Sequence, residues 1–504
     1  MTTNTKPERK GFTKDQWLII VTLIIGTFLG RLDGTIVNLA LPKIIADFGI
    51  TVSQASWIST AYIIANAVFV PVFGKMGDLV GRKPLYIWGI VGFTIASMAA
   101  GLSFDLYSML AFRIIQAITV SIDYPIALSI IAYAFTDHKE RAKAMGIWSG
   151  VFALAIVFGP LLGGPLTDWF GWRSVFFINI PLGGIGIFMA WKYIVEPVTN
   201  IKGIKHFDWL GSIFLAISLG TMVLVLDKGQ DWGWSSMNST ISYIISAITM
   251  IAFLIIENHE KEPVVDLKFF KNPTFAAANI TSFISFMGML GGIFLLPIFA
   301  QTYLGYSVTQ SGYLFIPMAM GIMMGVQVGN RLLFKIPMRI FVSIGMFWAA
   351  TILFTFTGMD IKWTFFDIAW RLFFFALGIG VGFAPITQAA TGTVPLKDVG
   401  VASSILALSR NLSGAFGIAI FATILSNSIT AQLVTIQKYS IINTTDPLML
   451  RTIPALMISK ANIAAYGSVF RWASLIVFFG GISAFFLKDP DQHGHKPSHD
   501  VVEI

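Results

Sequence analysis

Residues 16–42 read QWLIIVTLIIGTFLGRLDGTIVNLALP, an apolar run with Arg31 and Asp33 set well inside it. About 20 apolar residues cross a hydrocarbon core of roughly 30 Å, so the run reads as a membrane helix. A charge at the bilayer centre costs about 2.5 to 3.5 kcal/mol on insertion scales, and a helix that keeps two of them has a use for them. Lys6, Arg9, Lys10 and Lys14 ahead of the run resemble the basic start of a signal peptide. The apolar part of such a peptide is only about 7 to 15 residues long, whereas this run continues to Ala40 without a small-residue cleavage site. It is expected to stay in place as the first span.

The rest of the chain extends that reading. Of 504 residues, 55% are hydrophobic and 12% charged, and the mean hydropathy is +0.75; a soluble domain is about 25% charged. With no cysteine there is neither a disulfide nor a thiolate metal site. Apolar stretches recur near 16–40, 54–73, 84–101, 107–134, 142–167, 174–193, 208–226, 240–256, 274–302, 309–334, 338–357, 366–391, 399–425 and 469–487. They do not alternate as barrel strands would, so the expected fold is an all-α integral membrane protein with fourteen spans. Lys75, Arg82, Lys83, Lys139, Arg141, Lys143, Lys202, Lys205, Arg331, Lys335 and Arg339 fall in the tails and loops of one side, which the positive-inside rule makes cytoplasmic together with both termini. The net charge of +8 is therefore a topology signal, and nucleic acid is not an expected partner.

Two halves of the sequence echo each other. RIIQAITVSIDYPI starts at Arg113 and RLFFFALGIGVGFAPI at Arg371, with Pro125 and Pro385 further along. The loop GKMGDLVGRKPLY (74–86) has a degraded counterpart in GNRLLFKIPMRIF (329–341). Internal repeats are a mark of transporters. The correspondence predicts a six-helix bundle over 1–200, two inserted spans over 201–262 and a second six-helix bundle over 263–504. The last contains a long extracytoplasmic loop at about 426–468, in which ISKANIAAYGSVF is expected to form a short helix.

Gly74, Gly77 and Gly81 allow close backbone approach in the 74–86 loop, while Asp78, Arg82 and Lys83 put charge at the membrane edge. This stretch resembles the cytoplasmic-loop signature of the major facilitator superfamily. GVFALAIVFGPLLGG (150–164), with Gly150, Gly159, Pro160, Gly163 and Gly164, is similar to the signature of its antiporters. LDGTIVNLALPKI (32–44) and GWRSVFFINIPLG (171–183) resemble the first-helix and sixth-helix signatures of the fourteen-helix drug/proton antiporter branch. The resemblance implies that Asp78 faces the N-terminus of the thirteenth span, near Val399, and that spans 1 and 4 line a central cavity. After Arg113 the chain departs from the pattern, with Ala117 in place of a glycine and Asp123 in place of a small or apolar residue.

Asp33 and Asp123 are the carboxylates placed inside spans. On a regular helix Arg113, Gln116, Val120 and Asp123 share an arc of about 80°. In the implied fold Asp33 approaches Arg113, and a proton taken up and released there is the coupling ion, with no cofactor or metal needed. The resulting expectation is an alternating-access, proton-coupled antiporter of the plasma membrane that exports small lipophilic, often cationic compounds. Asp33, Arg113 and Asp123 would couple the proton. Asn38, Tyr62, Asn66, Gln116, Asn279, Gln301, Gln327 and Gln388 are the candidates for lining the cavity. For Arg371 and Arg410 the sequence offers no carboxylate partner, leaving the interface or backbone carbonyls.

Competing readings are an importer or facilitator of a small metabolite, and a receptor or scaffold that transports nothing. An enzyme is not expected, since no paired catalytic groups appear beyond Asp33 and Asp123, and with no phosphate-binding loop or metalloprotease helix pattern, ATP hydrolysis and proteolysis have no visible machinery. GIGVGF (378–383) lies in an apolar span with no preceding strand and reads as helix packing, and the histidines of HGHKPSHD (493–500) read as a charged tail.

Overall fold

Three of the expected spans share one detail: a proline three residues into a helix that follows a break. The computed structural model describes residues 11–196, 207–260, 263–333, 335–439 and 447–489. Within it the 107–134 stretch divides into α4 (Leu106–Val120) and α5 (Asp123–Ala134). The 174–193 stretch divides into α7 (Ser174–Phe177) and α8 (Asn179–Tyr193), and 309–334 into α12 (Val308–Tyr313) and α13 (Phe315–Leu332). Pro125, Pro181 and Pro317 each occupy the third position of the later piece. A proline cannot donate to the carbonyl four residues back, and its ring crowds that carbonyl, so the ladder opens at Ser121, Phe177 and Tyr313. Elsewhere Pro42, Pro71, Pro297 and Pro385 sit inside continuous helices.

The remaining elements are α1 (Lys14–Phe48), α2 (Val52–Val80), α3 (Arg82–Gly101), α6 (His138–Phe170), α9 (Trp209–Trp232), α10 (Met237–His259), α11 (Pro273–Tyr303), α14 (Met338–Thr355), α15 (Phe365–Gly392), α16 (Val399–Tyr439) and α17 (Pro447–Ala484). Every predicted span coincides with one of these helices or broken pairs. Among the described residues, thirteen helical stretches are long and apolar enough to cross a membrane, and the predicted span 142–167 lies within the 33-residue α6. Capping boxes at Thr13–Gln16, Thr51–Gln54, Asp105–Ser108, Ser307–Gln310 and Thr364–Asp367 satisfy amides at helix starts. At the turn before α7, Trp172 and Arg173 both donate to Asp47 at 2.9 Å, holding its carboxyl below the usual carboxylate range.

One expectation is corrected. Residues 426–439 and 447–468 are helical, not a loop, and Ile458–Phe470 is the middle of α17 rather than an isolated short helix. Hydropathy ends at about residue 425, but SNSITAQLVTIQKY contains no glycine or proline to stop the helix. At 1.5 Å per residue, the 41 residues of α16 run about 60 Å, roughly twice the hydrocarbon thickness.

Glycine sets how closely the helices approach. A Cβ on Gly321, Gly325 or Gly329 of α13 would strike the carbonyl oxygens of Phe373, Leu377 and Val381 in α15. Gly345 and Gly378 hold α14 against α15 in the same way. The α9–α10 pair is tied by reciprocal Ser218 and Ser246 hydroxyl-to-carbonyl bonds of 2.9 and 3.0 Å, and it rests on α2 and α16. Its outward face, with Ile244, Ile248, Ile251 and Ile255, is exposed as a lipid-facing surface would be.

Gly325→Ala should lower the thermal unfolding midpoint in detergent, by the 1–3 kcal/mol or so typical of overpacking. Gly184→Ala in α8, where nothing lies within 4 Å of the new carbon, should leave that midpoint unchanged or raised.

Candidate functional site

Asp33, halfway along α1, is completely buried and its two oxygens are taken by three donors from two other helices. Arg113 Nη1 donates to Oδ2 at 2.5 Å, and Gln116 Nε2 and Asn179 Nδ2 donate to Oδ1 at 2.9 and 3.1 Å. Gln116 also accepts from Arg113 at 2.7 Å, and the guanidinium lies 4.0 Å from the centre of the Tyr62 ring. Arg113 and Gln116 meet the same carboxylate because they are three residues apart on α4. Asn179 reaches it because the break at Ile178 starts α8 there, and its amide also donates to Ser97 at 2.9 Å. Neighbours that only donate to the carboxylate fit its ionised form. As expected, Asp33 meets Arg113 in the interior of the protein.

Asp123 does not join them. The helix breaks after Val120, which packs at Gly30, so the arc expected of a regular helix ends short of Asp123. Asp123 instead accepts from Thr27 Oγ1 at 2.8 Å, and that oxygen accepts from Trp148 Nε1 at 2.8 Å. The acid lines a small cavity with Gly26, Tyr86, Gly89 and Thr119 and lies in the electrostatic field of Arg31. Asp123 therefore does not neutralise Arg113.

Beyond this pocket the first eight helices meet the later ones. Arg31 Nη1 donates to Asn411 at 3.2 Å, and Asn411 donates to Asn66 at 2.8 Å. Arg410 donates to Ser282, Tyr124 and Thr387 at 2.9, 2.7 and 3.0 Å. Gly74 of α2 faces Ser404 and the Gly400 carbonyl at 2.6 and 3.1 Å, measured from where a Cβ would sit. Asp33 belongs to one set of helices, while Arg31, two residues earlier, reaches across to the other.

The sequence matches the Major Facilitator Superfamily over residues 23–418. The chain belongs to that superfamily. It is 32% identical over 422 residues to the multidrug transporter protein MdtP of Bacillus subtilis, covering 84% of this chain and 77% of that one. It is 30% identical over 419 residues to the riboflavin transporter RibZ of Clostridioides difficile, covering 83% and 90%. The crystal structure of the human organic anion transporter MFSD10 superposes with a TM-score of 0.62 at 13% identity, over 93% of this chain and 99% of that one, a likeness of fold alone.

The superfamily's loop motif is built for contact. Gly77 accommodates Ile126, Gly81 turns the chain at φ +96°, and Arg82 donates to Ser129 while stacking on Tyr133. Lys83, part-exposed, and Arg82, buried, present their backbone amides to Glu196, at 2.6 and 2.9 Å. Glu196, which sequence reasoning missed, thus sits at the positive end of α3. In the antiporter-like motif, Gly159 and Gly163 receive Thr35 and Ile36 of α1, whereas Gly150 faces Val326 of α13 and Gly164 faces Thr309. The side chains of Asn38, Asp78 and Pro160 lie outside the described residues.

The cavity candidates scatter. Gln116 belongs to the Asp33 cluster, Tyr62 donates to the Gly30 carbonyl at 3.2 Å, and Asn66 bridges to Asn411. Asn279 is held by Phe275 and Ser409, Gln388 is buried, and Gln301 is partly exposed near the end of α11. Gln327 is corrected: it is exposed beside Met323, Met324 and Val328, on the face of α13 opposite the packed glycines, and does not point inward. Arg371 bonds the Asp367 carbonyl and stacks on Trp363. Asn179, Thr27 and Tyr124 were also missed, although Asn179 lies in a quoted motif just ahead of Pro181.

Asn179→Leu should lower stability by about 1–3 kcal/mol, the cost of leaving a buried acceptor short of a donor. Comparing its thermal midpoint with that of Asn427→Leu, at an exposed position of α16, checks the expectation.

Proposed function

We propose that this chain is a proton-coupled antiporter that exports small lipophilic compounds from the cytoplasm across the plasma membrane. Asp33 carries the coupling proton, and no cofactor is required. The observation that supports this best is the buried Asp33 carboxylate, held by one fixed cation and two amides from α4 and α8. A proton on Asp33 removes the charge that Arg113 pairs with, and the three donors must then find other acceptors. Since α1 also carries Arg31 into the contact with α16, rearranging around Asp33 is mechanically linked to that contact. Competition between proton and cargo for one arrangement of α1 would make the exchange obligatory.

In this reading the Gly81 turn, with its basic neighbours, lies on the cytoplasmic side together with both termini, and two six-helix bundles rock about the central site. The Gly74–Ser404 contact then closes the cytoplasmic side. MdtP's description as a multidrug transporter supports export of varied cargo, and the riboflavin transporter RibZ supports a second reading, uptake or facilitated passage of a small metabolite. The direction of proton-linked movement separates the two.

In proteoliposomes with a pH gradient, Asp33→Asn should abolish gradient-driven efflux of a fluorescent lipophilic probe while the protein stays folded. Efflux at the wild-type rate in that variant would remove Asp33 from the mechanism, and probe accumulation with the same gradient would favour the uptake reading.

A further inference from the structure

Arg31 and Arg410 enter the contact between the early and late helices from opposite sides and flank the same two rings. The Arg31 guanidinium lies 4.4 Å from the centre of Phe152 and 5.9 Å from that of Tyr124, and Arg410 lies 5.6 and 5.8 Å from them. Phe286, at 4.9 Å from Arg410, and Phe383 extend the aromatic wall. Arg113 has Asp33, but neither of these arginines forms an ion pair with a carboxylate among the described residues. Arg410, only 2% exposed, spends its donors on three neutral hydroxyls, and Arg31, partly buried, spends one on an amide oxygen. Asp123, the carboxylate in the field of Arg31, gives one oxygen to Thr27.

Buried charges in proteins are normally paired, because hydroxyls and ring faces offset only part of the cost of removing a cation from water. Guanidinium pairs bidentately with carboxylates and stacks on rings, so the same residues suit a flat molecule carrying an acid. We propose that Arg31 and Arg410 form the head-group site for an aromatic or otherwise lipophilic anion, with Tyr124, Phe152 and Phe286 as its apolar walls. The site is reached when the α1–α16 contact parts. This names the cargo class of the exporter proposed above and rests on that reading for the site's use, though not for its binding. It replaces the expectation of cationic cargo, which two cations with aromatic surroundings would repel.

The test is equilibrium binding to the full-length protein in nanodiscs, at fixed pH and without a gradient. The probes are anthracene carboxylate and anthracene methylammonium, alike in rings and opposite in charge. The wild type should bind the carboxylate roughly tenfold or more tightly than the ammonium, the scale of one charge-assisted hydrogen bond. Arg31→Gln and Arg410→Gln should each erase about tenfold of that preference and leave ammonium binding unchanged or stronger, while Arg410→Lys retains part of it. Equal binding of both probes, tighter binding of the ammonium, or binding of neither overturns the proposal. So does a parallel loss of both probes in the Gln variants, which is the mark of a structural role. Should Arg410→Gln fail to fold, the wild-type comparison and Arg31→Gln decide. Loss of the anion preference with Asp33-dependent efflux intact leaves the exporter standing, and the converse overturns the coupling alone.

Discussion

An ionised group inside hydrocarbon has to bring its own solvation, and the Asp33–Arg113 pair is where this protein meets that demand. The carboxylate takes its donors from α4 and α8, so three helices must be in register before the charge is satisfied. Removing one partner from such a cluster costs more than the pair contributes, because the survivor is left charged and unpaired. The packing nearby follows from it. α1 must pass close to α6, and the glycines at 159 and 163 leave room for Thr35 and Ile36. The helix that holds Asp33 thus also fixes the helix that touches α13 on its other side.

Much of this architecture was readable from sequence because the bilayer imposes one strong rule on every span. Hydropathy located all fourteen stretches, the start of α16 at Val399 agrees with the expected thirteenth span, and the Asp33–Arg113 meeting followed from the family resemblance, which lines one cavity with spans 1 and 4. The rule stops at the membrane surface. Beyond residue 425 the chain no longer has to be apolar to be helical, so a hydropathy reading saw a loop where α16 continues. Inside the membrane, a projected arc of residues holds only while the helix is regular. The break before Asp123 sends that acid to Thr27, and Gln327 shows that a polar residue in an apolar span need not face inward.

The central contact separates two kinds of interior cation. Arg113 is neutralised within one set of helices and contributes to holding them together. Arg31, partly exposed, and Arg410, buried, lie where two sets meet and hydrogen-bond only neutral groups beside aromatic faces, and there the cost of leaving water is offset only in part. Such an arrangement is tolerable when the contact is not permanent. Membership of a superfamily whose relatives are named as transporters is consistent with a contact of that kind.

The three proline breaks have a mechanical consequence. A fully bonded helix transmits twist from one end to the other, but where the ladder opens at Ser121, Phe177 or Tyr313 the joining residues stay helical with fewer bonds between the two pieces, so bending there is easier. Asp123 and Asn179 each lead the second piece. Either polar group can therefore be re-aimed by a few degrees of bending ahead of a segment of 12 or 15 residues, without dragging the rest of its span through the lipid.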